Sequence, residues 1–207
     1  MTIAPTAARL TSAIAHFESY ATRLAALMDE FDWSLLAPLA EELAGCVTSR
    51  RQVFICGNGG SAGNAGHLGN DFIYGVAKSP GRALRVHALT ANPAVLTCLA
   101  NDEGYERVFE LQLRELADGG DVLIAFSGSG NSPNIVKALE AAREIGMRSY
   151  AVLGYSGGRC KALADHAIHF PIDDMQIAED MQLVVGHMLM QWLYENRAAL
   201  SGARSAA

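Results

Sequence analysis

The stretch QVFICGNGGSAGNAGH, from Gln52 to His67, decides the fold. Its opening run, Gln52-Val-Phe-Ile-Cys56, is short and apolar and reads as a buried parallel strand. A Gly/Asn/Ser turn follows, and then a run with helical character. DVLIAFSGSGNSPN, from Asp121 to Asn134, repeats that order. A helix N-terminus exposes unpaired backbone N–H groups and the positive end of its dipole. Glycines such as Gly59, Gly60 and Gly128 let that backbone approach a ligand, while Ser and Asn add hydroxyl and amide donors. Each turn is therefore a ready anion site. Two of them predict a ligand with a phosphate and several hydroxyls, such as a sugar phosphate.

Working outward, strands are expected at Gln52–Cys56, Leu84–Leu89, Val122–Phe126, Ser149–Leu153 and Ala167–Pro171. Helical runs lie between them at Ala62–Phe72, Ala94–Leu116 (with a break near Asp102-Glu-Gly) and Pro133–Ile145. This alternation predicts an α/β fold with a doubly wound, five-stranded parallel sheet. Ligands then bind outside the strand carboxyl ends, where both Gly/Ser turns lie. Before the sheet, Ala8–Met28 and a run opening at Asp32 form a helical pair. After it, Met175–Asn196 is a long helix, apolar over much of its surface, as a helix between subunits would be. One domain over 1–200 is expected: N-terminal helices at 1–50, a βα core at 51–172 and a C-terminal helix at 173–197. A disordered tail is expected at 201–207.

Composition narrows the partners. The chain has 207 residues, half of them hydrophobic, enough for one sizeable core. A net charge of −6 without a long basic run argues against nucleic acid. No apolar stretch reaches the ~18 residues of a membrane span, and the N-terminus lacks the pattern of a signal peptide. Cys46, Cys56, Cys98 and Cys160 are scattered without Cys-x-x-Cys spacing, so reduced thiols in a cytoplasmic protein are expected.

Neither turn fits a nucleotide fingerprint, because the later glycine and the Walker lysine are missing. Ser127, Ser129 and Ser132 can surround one phosphate, and Ser61 and Asn58 can contribute from the first turn. His67 and Asp71 stand one helical turn apart on one face. Glu179 and His187 are eight apart on the last helix, ~12 Å along it and rotated by about 80°. Two imidazoles and two carboxylates suit a borderline divalent metal such as zinc. The same spacing also describes a surface His–Asp pair and a core histidine, and both readings stand at this point. Thr90, Asn101 and Asp102 lie on the ligand side and could meet sugar hydroxyls; a plain helix end accounts for them as well. His16, His87, His166 and His169 read as structural.

Taken together, these segments resemble the sugar isomerase (SIS) family, and within it the sedoheptulose-7-phosphate isomerases. The matching pieces are Gly57-Asn-Gly-Gly-Ser-Ala, Asn64-Ala-Gly-His67, Leu89-Thr, Ala100-Asn-Asp, Gly120-Asp-Val-Leu-Ile, Ser127-Gly-Ser-Gly-Asn-Ser132-Pro-Asn and Ala138-Leu-Glu-Ala-Ala-Arg-Glu-Ile-Gly-Met. The resemblance spans about Trp33 to Tyr194 and implies a flavodoxin-like SIS domain. It also implies an aldose–ketose isomerase for a seven-carbon sugar phosphate, working through an enediol as a homotetramer. Ser61, Ser127, Ser129 and Ser132 fall at the family's phosphate positions, and Asn58 and Asp102 at sugar positions. His67, Asp71, Glu179 and His187 fall at its zinc positions. The first carboxylate, Asp71, and the last histidine, His187, are also the implied base and acid, with Glu179 as the other carboxylate in reach. Two of these positions depart from the pattern. Asp71 replaces a Glu, which draws the carboxylate back by roughly 1 Å, and Glu179 replaces a neutral Gln. Gln176 stands where the family often has Asp beside the substrate. Two alternatives accompany this reading: a non-catalytic phosphosugar-binding regulator, and an isomerase of a shorter sugar phosphate.

Overall fold

The computed structural model describes residues 12–79 and 83–203. By its contacts the chain divides into two units, residues 1–32 and 33–207. The first holds helix α1 (Ala13–Glu30), capped by the Ser12 side chain, which accepts from the Ala15 N–H. None of its residues is buried. Ala8 to Thr11, the start of the helix expected here, lie outside the described residues.

The second unit opens with a 3₁₀ turn at Trp33–Leu36, which leads into α2 (Ala37–Ser49). Pro38 sits in the first turn of α2, where its missing N–H costs nothing. The order is then β1 (Gln52–Cys56), α3 (Gly60–Asn70), β2 (Arg85–Ala88), α4 (Pro93–Asp102), α5 (Val108–Leu116), β3 (Val122–Ser127), α6 (Pro133–Ile145), β4 (Arg148–Leu153), α7 (Gly158–Leu163), β5 (His166–His169), α8 (Met175–Glu195) and α9 (Arg197–Ala203). A π-helical turn, Asp71–Gly75, continues α3. The break expected near Asp102 separates α4 from α5. Helix α9 runs through Ala203, where the sequence suggested irregular chain from residue 201; the reason is local, an Arg197–Ala203 run rich in alanine. Residues 204–207 lie outside the described residues.

All five strands are parallel, in the order β2-β1-β3-β4-β5. Every residue of β3 is buried, as a central strand covered on both faces requires. Phe54, Leu123, Phe109, Ile135 and Leu139 fill one side of the core. The strand order reverses between β1 and β3, so their following helices leave toward opposite faces and a crevice opens at their carboxyl ends. The two Gly/Ser turns follow β1 and β3. The sequence thus folds both candidate anion sites onto the sheet's single switch point. Of the histidines expected to be structural, His87 stacks on Phe54, His166 stacks on Tyr150, and His169 contacts the Tyr155 carbonyl, whereas His16 is exposed on α1 with its ring edge against Phe17.

Candidate functional site

The first turn needs its glycines. Gly59 has φ +57° and ψ −121°, a conformation that L side chains rarely adopt. At Gly60 a Cβ would collide with the Glu179 carboxylate, so that carboxylate rests directly on the backbone at the start of α3. The helix dipole favours a negative charge there. In the second turn the Ser127 Oγ accepts from the Gly130 N–H at 3.0 Å, and the Ser129 Oγ accepts from the Asn131 N–H at 3.3 Å. Ser132 occupies the N-cap position of α6, yet its side chain makes no capping bond. Its hydroxyl is left for something other than its own helix.

Two amides join the turns. Asn58 Nδ2 donates to Asn134 Oδ1 at 2.9 Å, and Asn134 Nδ2 donates back to Asn58 Oδ1 at 2.8 Å. Tyr105 Oη donates to the same Asn58 Oδ1 at 3.0 Å. Asn134 is buried. The Asn58 carbonyl oxygen is thus fully used, and one N–H of its amide remains for a ligand. Of these three, sequence reasoning named Asn58 alone. Asn134 stands last in the Ser/Gly/Asn motif, inside the helix expected from Pro133, and the sequence alone assigns it no role.

Next to this crevice, α8 packs on α3. A Cβ at Gly186 would run into the Leu68 side chain, so this glycine permits the close approach. The neighbouring His187 then meets His67, with the two Nε2 atoms 2.9 Å apart. Asp71 Oδ2 lies 3.4 Å from His67 Nε2 and 3.6 Å from His187 Nε2. Asp71 is the first residue of the π turn, whose wider ring is closed by the Val76 N–H on the Asp71 carbonyl at 3.2 Å. Its other carboxylate oxygen, Oδ1, accepts from Asn70 Nδ2. Two imidazole nitrogens 2.9 Å apart hold at most one proton between them, and either ring can be the donor.

Among the described residues, His67, Asp71 and His187 are the group whose ligand atoms lie within 4.8 Å of one another. A tetrahedral ion with bonds of 2.0–2.1 Å has ligand–ligand edges of about 3.3 Å. Spacings of 2.9, 3.4 and 3.6 Å bracket that value, so two nitrogens and one oxygen fit a divalent metal. Glu179, expected with them, is not in the group. The rotation of about 80° along α8 turns it toward the α3 N-terminus instead.

The remaining expected residues are dispersed. Gln176 lies in the first turn of α8, its N–H held by Asp174 Oδ1. Asp102, at the end of α4, accepts from Asn101 Nδ2 and from the Cys98 thiol. Through that hydrogen bond and its charge, Asp102 pushes the Cys98 thiol above its ordinary pKa. Gly128 lies against the Met175 sulfur at the mouth of the second turn. Thr90 donates to the Ala62 carbonyl, joining the chain after β2 to α3.

Comparison with known proteins agrees with this architecture. Residues 16–154 match the SIS domain family. A phosphoheptose isomerase from Nitratidesulfovibrio vulgaris is 39% identical over 168 residues, covering 78% of this chain and 79% of that protein. Among solved structures, phosphoheptose isomerase from Neisseria gonorrhoeae superposes with a TM-score of 0.80 at 28% identity, covering 87% of this chain and 96% of that one. Phosphoheptose isomerase from Francisella tularensis shares the fold, with a TM-score of 0.81 at 24% identity over 89% of this chain and all of that one. A doubly wound sheet with two serine-lined cradles at its switch point, matched in sequence over two thirds of its length, makes this chain a member of the SIS domain family, with phosphoheptose isomerases as its relatives.

Proposed function

We propose that this chain interconverts sedoheptulose 7-phosphate and an aldose heptose 7-phosphate. The observation that carries the reading is the placement of an acid–base group, His67, Asp71 and His187, on the helices that border the two anion cradles. The cradles hold the phosphate through Ser61, Ser127, Ser129, Ser132 and the backbone at Gly59, Gly60 and Gly128. Asn58, Asp102 and Gln176 line the sugar. In the ring-opened ketose, Asp71 takes the proton from the carbon next to the carbonyl, and the electron pair forms the enediol. His187 gives a proton to the carbonyl oxygen and removes one from the neighbouring hydroxyl. Asp71 then returns its proton to the former carbonyl carbon, and the aldose results. Proton transfer of this kind is worth about 10²–10⁴ in rate.

His67, Asp71 and His187 would hold a divalent metal, zinc by the chemistry of the donors. Such an ion, when bound, polarises the carbonyl and stabilises developing negative charge. Asp71 can meet an ion through Oδ2 and keep Oδ1 for the proton.

We read the working form as a cytoplasmic homotetramer. Helix α1 supports self-association: it buries none of its residues and exposes Ile14 and Phe17. In the second unit, Trp33, Leu36, Met188 and Trp192 line an apolar groove of about 430 Å³. Among the described residues no helix is long and apolar enough to cross a membrane.

The test is to incubate the protein with C5 to C7 ketose phosphates, with and without chelator, and follow aldose formation by NMR. The C7 substrate is expected to turn over fastest. Asp71→Asn is expected to lose at least about 10²-fold in kcat while still binding the sugar phosphate. Wild-type turnover in the Asn variant removes Asp71 as the base. Sugar-phosphate binding without any turnover makes the chain a binding module.

A further inference from the structure

Helix α8 also carries Gln182, a buried polar residue in an otherwise apolar run of Met181, Leu183, Val184 and Val185. Its amide lies in a short chain of hydrogen bonds that begins at a backbone carbonyl. Asn64 Nδ2 donates to the Glu179 carbonyl at 2.9 Å. A carbonyl only accepts, so the Asn64 amide has its nitrogen on that side. The same nitrogen donates to Gln182 Oε1 at 3.0 Å. The other end of Gln182 is then its NH₂, which donates to Ser61 Oγ at 3.0 Å. Every direction in this chain follows from the first.

The consequence falls on Ser61. Its oxygen is already an acceptor, and among the described residues its proton goes to no side chain or carbonyl. Ser61 is buried and is the second residue of α3, in the turn of helix that forms the first cradle. We propose that Gln182 is a positioning residue that holds the Ser61 hydroxyl as an obligate donor to the phosphosugar. A hydroxyl free to rotate would have to be oriented on binding; this one is set beforehand by Gln182, Asn64 and the Glu179 carbonyl. The proposal rests on the reading that Ser61 touches the ligand.

The experiment is a double-mutant cycle between Gln182→Glu and Ser61→Ala in the full chain. A carboxylate at 182 accepts from both Asn64 and Ser61, so it draws the serine proton away from the cradle. KM and kcat are measured with sedoheptulose 7-phosphate, and the Kd of inorganic phosphate by titration calorimetry. With Ser61 present, Gln182→Glu is expected to raise KM and Kd about tenfold or more, with a much smaller change in kcat. In the Ser61→Ala background the same substitution is expected to cost threefold or less, the remainder being the added charge. Equal losses in both backgrounds overturn the proposal, as does a Ser61→Ala variant that binds like wild type. If Gln182→Glu does not fold, Gln182→Met takes its place, with an expected loss of about threefold that again vanishes with Ser61. A wild-type protein that turns over no ketose phosphate sinks the isomerase reading alone, because the cycle is still scored by phosphate binding.

Discussion

Asn58 and Asn134 exchange a pair of hydrogen bonds, at 2.9 and 2.8 Å, across the point where the strand order reverses. The pair ties the turn after β1 to the first turn of α6, so the two cradles keep a fixed separation. Asn134→Ala leaves both polar atoms of Asn58 short of a partner, although Tyr105 still reaches one of them. A half-satisfied pair costs about 1–3 kcal/mol. Urea unfolding is expected to show that loss, together with a KM for the sugar phosphate raised about tenfold. Unchanged KM in a destabilised variant would restrict the pair to a structural part.

Glu179 puts a carboxylate on the backbone of the first cradle, which a phosphate dianion must approach. Each unit of phosphate charge about 6 Å from that carboxylate is repelled by up to about 2–3 kcal/mol at an effective dielectric of 20 or more. Glu179→Gln removes that repulsion and keeps the side chain's size. Inorganic phosphate is expected to bind about three- to tenfold tighter to this variant at low salt. The gain should shrink as ionic strength rises, since exposed charges are screened. Weaker phosphate binding in the variant would mean that Glu179 helps build the anion site.

Much of this was legible in the sequence, and the physics says why. Helix α6 was read with both of its ends, because Pro133 opens a helix well and Gly146, at φ +85°, closes one. The buried strands β1 and β3 announced themselves as apolar runs. The two cradles followed from glycine and serine at strand ends. The bends and rotamers were not legible. The π turn at Asp71 leaves no mark in the pattern of the sequence around it. Glu179 meets the start of α3 through a contact between segments far apart in the chain, which no local pattern encodes. Gln182 had left a trace, a lone amide in an apolar run, but its partners lie more than a hundred residues away in the chain.

Gly186 is a point of close approach between α8 and α3. Gly186→Ala would push its methyl into Leu68 and force the helices apart. Overpacking of this kind costs about 1–3 kcal/mol. Separation would also lengthen the 2.9 Å His67–His187 contact, so cobalt or zinc is expected to bind more weakly. Leu68→Ala opens the space that the new methyl needs. In that background Gly186→Ala is expected to add less than about 0.5 kcal/mol by urea unfolding. Strictly additive losses would show that the close approach is not what the glycine provides.

The four free cysteines differ sharply in accessibility: Cys98 is exposed, and Cys46, Cys56 and Cys160 are buried. A disulfide reagent should therefore meet one thiol in the native chain and four in denaturant. Cys98 will react slowly for an exposed thiol, because the hydrogen bond to Asp102 and its negative charge raise the thiol pKa and deplete the thiolate. Asp102→Asn removes the charge, so the reaction rate near pH 8 should rise and its pH inflection should move down. Burial pushes Cys46 and Cys160 up to about 11. A thiol raised on folding stays protonated while the unfolded chain ionises. Its contribution to stability is therefore complete below the unfolded value of about 8.5 and is lost as pH climbs from there toward 11. Urea midpoints should fall across that window, and Cys46→Ala and Cys160→Ala should each flatten the slope. A slope unaffected by either substitution would assign the alkaline loss to other groups.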